Sequence, residues 1–78
     1  LNLMNSPFVM SQSKRIAERS LEDTDNNLPA ALDRCFELLL ARQPTADEKA
    51  AVQSITNPKD LFLVCRAILN SNAFTFLE

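Results

Sequence analysis

Between Leu28 and Leu40 the apolar positions Leu32, Cys35, Phe36 and Leu39 recur at i, i+3, i+4 and i+7, and Leu38 and Leu40 widen the stripe. At about 100° per residue these positions cover roughly 200° of a helix surface, and Asp33, Arg34 and Glu37 fill the rest. An arc that wide predicts burial on two sides, which puts this helix at the centre of the fold. It is expected to end near Ala41 or Arg42, because the residue before Pro44 is pushed out of helical angles.

Three further helices read from the same alternation. Ser6-Pro7 opens the first, with the hydroxyl as cap and Pro at a position where its missing N–H costs nothing. That helix runs to about Leu21 with Val9, Ser13, Ile16, Ala17 and Ser20 inward, Met10 and Leu21 at the flank, and Lys14, Arg15 and Glu18 in water. The small residues of the stripe predict close approach to a neighbouring helix. An acidic loop, Glu22 to Asn27, follows, with Asn27 as cap and Pro29 in the first turn of the second helix.

Thr45-Ala46-Asp47-Glu48 is a capping box, in which Thr45 bonds the Glu48 amide and the Glu48 carboxylate reaches back to Thr45. It predicts a short third helix from Ala46 to about Ile55 that buries Ala51, Val52 and Ile55. Asn57-Pro58 restarts the chain for a fourth helix reaching about Leu69, with Asp60 near its positive end. Leu61, Phe62, Val64, Cys65, Ile68 and Leu69 face inward, and Leu63 falls opposite them with Lys59 and Arg66. Asn70-Ser71-Asn72 is expected to stop this helix through a left-handed Asn. The apolar residues Phe74 to Leu77 then lie back across the helices, although alternating Phe74 and Phe76 also fit a short strand. Residues 1–5 read as an incoming linker. The expectation is an all-α fold: a small four-helix orthogonal bundle with an apolar C-terminal tail, one domain over residues 1–78.

Composition narrows the chemistry. A chain of 78 residues buries only about 60–65% of the surface its unfolded form exposes, and 46% hydrophobic content supplies one core. Gly is absent, which excludes phosphate-cradling loops that need backbone without Cβ. His is absent as well, which removes Ser-His-Asp and Cys-His pairs and mixed Cys/His zinc sites. A net charge of −2 offers no field for nucleic acid or anionic membranes. The second helix, turn and third helix superficially suggest helix-turn-helix, but only Lys49 and Gln53 are available to a groove. No apolar run approaches the ~18 residues needed to cross a bilayer, so membrane insertion is not expected. The chain opens at Leu1 without an initiator Met and is expected to be an excerpt of a longer protein.

The residues that carry candidate chemistry each have an ordinary reading beside the functional one. Cys35 and Cys65 lie on the apolar faces of two helices, as buried thiols or, if those faces meet in an oxidising compartment, as a disulfide. Arg42 suits either an anionic ligand or a pairing with Asp47, Glu48 or the carbonyls ending the second helix. Asn70 and Asn72, and Asn5-Ser6 at the other end, read as polar contacts or as caps. Glu18, Glu22, Asp23 and Asp25 form an acidic face whose loose spacing suits solvent better than a cation. No catalytic residue, cofactor ligand or metal ligand is assigned.

Three stretches, LNLMNSPFV at Leu1 to Val9, LARQPTADE at Leu40 to Glu48 and LNSNAFTFLE at Leu69 to Glu78, together resemble a known family. It is the C-terminal domain of unknown function number fifteen-fifty-three, found in multidomain proteins of planctomycetes and related bacteria. Its members typically read LNLMNSPFV, LGRxPTxxE and LNSNEFLYVD at these places. Ala41 stands where the family has Gly, Ala73 where it has Glu, Phe76 where it has Tyr and Glu78 where it has Asp. The resemblance implies an exported parent, periplasmic or extracellular, often with a cytochrome-c-like haem domain elsewhere. It supplies no catalytic residues, and the absence of CxxCH keeps c-type haem off this stretch.

The leading functional expectation is a non-catalytic structural or protein-interaction module that docks on upstream domains of its own parent through Leu1, Leu3, Leu63 and Phe76. The alternative is an accessory domain that completes an enzyme or redox site lying upstream, contributing Arg42, Asn70 or Asn72.

Overall fold

Each helix begins where a side chain takes over a backbone partner that the helix cannot supply. In the computed structural model, which describes the backbone of residues 6–77 and side chains through residue 71, Ser6 Oγ accepts from the Val9 amide at 3.2 Å and opens α1, Pro7–Asp23. Asn27 Oδ1 accepts from Ala30 at 3.1 Å and opens α2, Leu28–Leu40. Thr45 and Glu48 close the reciprocal box, at 3.2 Å to the Glu48 amide and 2.8 Å from the Thr45 amide, and open α3, Ala46–Val52. Asn57 caps a single 3₁₀ turn, Pro58–Asp60, that leads directly into α4, Leu61–Leu77.

The ends of the helices are less predictable than their starts. The first helix extends two residues past Leu21, to Asp23. A tight turn follows in which Asp25 and Asn26 both take positive φ, 53° and 63°. Asp and Asn visit that region more readily than other side chains. The Asn26 amide donates to the Leu21 carbonyl at 2.8 Å, and Asn27 to Thr24 at 3.0 Å, so the turn satisfies the last helical acceptors. Helix α2 stops at Ala41, whose φ of 56° and ψ of 32° are left-handed. A Cβ there costs about 1–2 kcal/mol, which is why helices that end in this conformation most often carry Gly at that position.

Helix α3 is shorter than expected. It ends at Val52 and tightens through i→i+3 bonds from Gln53 to Ala50 and Ile55 to Val52. It buries no residue fully: Val52 and Ile55 are half-buried and Ala51 is exposed. The largest correction falls on α4. Asn70-Ser71-Asn72 does not stop it, and the helix continues to Leu77 with neither a folded-back tail nor a strand. Asn70 turns its side-chain amide onto the Arg66 carbonyl at 3.0 Å, so it bonds within the helix and does not leave it. With neither Gly nor Pro beyond, nothing ends the helix there. Leu1 and Leu3, and the side chains of Asn72 and Phe76, lie outside the described residues.

Helices α1, α2 and α4 pack on one another, most extensively α1 against α4, and α2 is touched on both sides as its wide stripe requires. The result is an all-α small helical bundle, with four helices among the described residues and α3 attached at its side. Along α1 the buried residues are Val9, Ser13, Ala17 and Ser20, and their small size lets its axis come near both neighbours. Both serines are fully buried without losing hydrogen bonds, because Ser13 donates to the Val9 carbonyl at 2.6 Å and Ser20 to that of Ile16 at 2.8 Å. Ala17, Ala31, Cys35, Leu61 and Cys65 form one cluster where the three helices meet. A second, of Phe36, Val64 and Ile68, is covered by Val52 and Ile55 from the α3 side. Across the surface, Arg34 of α2 reaches Asp23 of α1 at 3.0 Å and also pairs with Glu37.

Candidate functional site

Because α3 is short and capped at only one end, it covers the second cluster incompletely. A groove of about 530 Å³ remains between α2, α3 and α4. Its floor is Phe36, Val64 and Ile68; its sides are Leu40 from α2, Val52 and Ile55 from the α3 region, and Leu63 and Ala67 from α4. That volume falls within the usual range of ligand sites, but the lining carries few polar groups to orient a small molecule.

The charged groups on the groove's edge are Arg42 and Glu48. Arg42 donates from both terminal nitrogens to the two Glu48 oxygens, at 2.7 and 3.0 Å, and also to the Gln43 carbonyl at 3.1 Å. These bonds from Arg42, joined by the Thr45 amide, hold the Glu48 carboxyl down at about 2. Each partner is committed to the other, so the rim presents a neutral, fixed pair. Arg42 therefore takes the pairing read for it in the sequence.

The other expected contacts divide. Leu63, expected opposite the buried stripe, is half-buried and lines the groove, in the same site as Arg42. Its position follows from the groove's depth: α3 does not reach far enough to give α4 a single buried face. Asn70 is half-buried, and its side-chain amide bonds the Arg66 carbonyl of its own helix. In the acidic stretch, Asp23 is taken by Arg34 and by Arg19 at 3.6 Å. Among the described residues no three His, Cys, Asp or Glu gather in a way that could hold a metal ion.

The two helix faces that carry Cys35 and Cys65 do meet: the Cys65 thiol donates to Cys35 Sγ at 3.2 Å, and Cys35 donates to Ser20 Oγ at the same distance. Ser20 was not singled out as their neighbour. The signal for it is its place three and seven residues beyond Ala17 and Ser13, on the one face of α1 narrow enough to admit a second helix.

A bundle of this kind, with an apolar groove at its looser side, defines a small helical module. The family model described as a protein of unknown function, DUF1553, matches residues 1–56, and the chain belongs to that family. The match includes the opening and central motifs, from Leu1 to Val9 and from Leu40 to Glu48. No curated protein matches the chain, and no solved structure does.

Proposed function

We propose that this chain is a non-catalytic docking module whose α2–α3–α4 groove receives an apolar helical segment from the upstream part of its own parent protein, in an exported, multidomain bacterial polypeptide. The observation that carries this reading is the groove itself. Large apolar side chains line it, its edge charges neutralise one another, and about 530 Å³ is room for a few aliphatic side chains at i, i+3 and i+4 spacing. Its charged lining groups, Arg42 and Glu48, answer each other, so a charged partner gains little there. The resemblance to domains found beside cytochrome-c-like modules in planctomycete proteins supports an intramolecular partner. The alternative role, completing an upstream active site, would have to draw Arg42 out of its bidentate contact with Glu48.

The test is association between this chain and the upstream polypeptide, followed by titration calorimetry. Binding tighter than about 100 μM is expected, with Leu63→Asp and Ala67→Asp each weakening it at least tenfold while the melting temperature stays near that of the unmodified chain. Binding that ignores both substitutions, or its absence at that concentration, would overturn the groove as the docking surface.

A further inference from the structure

A line of hydrogen bonds runs through the middle of the fold, from the Cys65 thiol to Cys35 Sγ, from Cys35 to Ser20 Oγ, and from Ser20 to the Ile16 carbonyl. It takes one member from each of α4, α2 and α1, and all three side chains are fully buried. Both thiols are free. The sulfurs are 3.2 Å apart although the residues are 30 positions apart in sequence. A disulfide needs about 2.05 Å, so closure asks for roughly 1.2 Å shared between two side chains on helices already packed together. Folding has therefore already brought the ends of a long loop together, which is the main obstacle to joining two distant cysteines.

We propose that Cys35 and Cys65 are a disulfide-forming pair, which an external disulfide oxidant converts into a covalent link between α2 and α4. In the first exchange one cysteine, as thiolate, attacks a sulfur of the oxidant's disulfide, forms a mixed disulfide and expels half of the oxidant as a thiolate. In the second, the other cysteine thiolate attacks the protein sulfur of that mixed disulfide, forms the Cys35–Cys65 bond and expels the remaining half. Two protein thiols are oxidised to one disulfide, the oxidant's disulfide is reduced to two thiols, and the two protons lost by the cysteines end on those leaving groups. Because both sulfurs are sealed in the core, exchange takes place as the chain folds or opens, and the folded packing then sets where the equilibrium lies.

This inference is independent of the groove and its partner. Its test is to equilibrate the reduced chain with mixtures of reduced and oxidised glutathione, in native buffer and in concentrated urea, and to quench with acid. Mass spectrometry then gives the fraction of chains that have lost two hydrogens and carry a Cys35–Cys65 linked peptide. The expected result is an effective concentration of the thiol pair on the order of 10²–10³-fold higher in native buffer than in urea. The oxidised chain is also expected to melt roughly 10–20 °C above the reduced one, reversibly with dithiothreitol. An effective concentration no higher in native buffer than in urea would show that the native packing opposes the bond. So would glutathione adducts or cross-linked dimers as the main products in native buffer. Either result overturns the proposal.

Discussion

The two halves of this core differ in what is buried at their centres. Where α1, α2 and α4 meet, the buried residues are Ala17, Ala31, Cys35, Cys65, Ser20 and Leu61, with half-buried Ile16, Leu21, Leu28, Leu32, Leu39 and Phe62 packed around them. On the α3 side the residues are larger, Phe36, Val64 and Ile68 with Val52 and Ile55, and the packing is open enough to leave a groove. Bulk therefore does not mark the tightest region. Small side chains let three helix axes converge until nothing else fits, and their few polar atoms are satisfied at i−4 carbonyls or by one another. Large side chains need a full-length partner helix to cover them, and α3, seven residues long, is not one.

Substitution at Leu61 separates the halves most sharply. It is fully buried, and Leu61→Ala is expected to cost about 3–4 kcal/mol in urea unfolding, a large part of a small domain's stability. Val52→Ala on the open side is expected to cost about 1 kcal/mol or less, because the site is already half-exposed. Equal costs would erase the distinction between a closed and an open half.

A smaller effect lies at the joint between them. Ala41→Gly relieves a left-handed alanine and is expected to raise stability by about 1 kcal/mol, measured as a shift of the urea midpoint without a change in slope. A loss would mean that the left-handed geometry is not what ends α2.

Acid gives the gentlest probe. The folded Glu48 carboxyl is held at about 2 against an ordinary 4.5, so its contribution is fully present above about pH 4.5 and is lost as pH falls toward 2. Hydrogen exchange in that window should show α3 amides losing protection before those of α1 and α4, and Glu48→Gln should remove the difference. Simultaneous loss in all the helices would mean that the cap is not specific to the open half.

Much of this architecture was legible in the residues, for identifiable reasons. Ser6, Asn27, Thr45 and Asn57 each advertise a helix start, because a short polar side chain has one well-defined task there. The α1 stripe was readable down to Ser13 and Ser20, since period alone decides which side chains point inward. Helix ends were harder to read. Asn70 can leave a helix left-handed or bond back within it, and only the surrounding packing chooses, so the expected tail is helix instead. Leu63 does fall across α4 from the buried stripe, but a helix wheel does not show that the groove reaches it. The meeting of Cys35 with Cys65 depends on the register between two helices, which periodicity within each helix does not contain.

Glu48 serves two neighbours at once, the amide of Thr45 that caps α3 and the guanidinium of Arg42 that follows α2. This ties a stretch of seven residues, 42 to 48, into a self-contained clasp whose shape is dictated locally. That stretch fixes where α3 begins, while Val52 and Ile55 hold it against the second cluster. Substitutions on the groove wall at Leu63 or Ala67 leave the clasp untouched, because neither residue takes part in it.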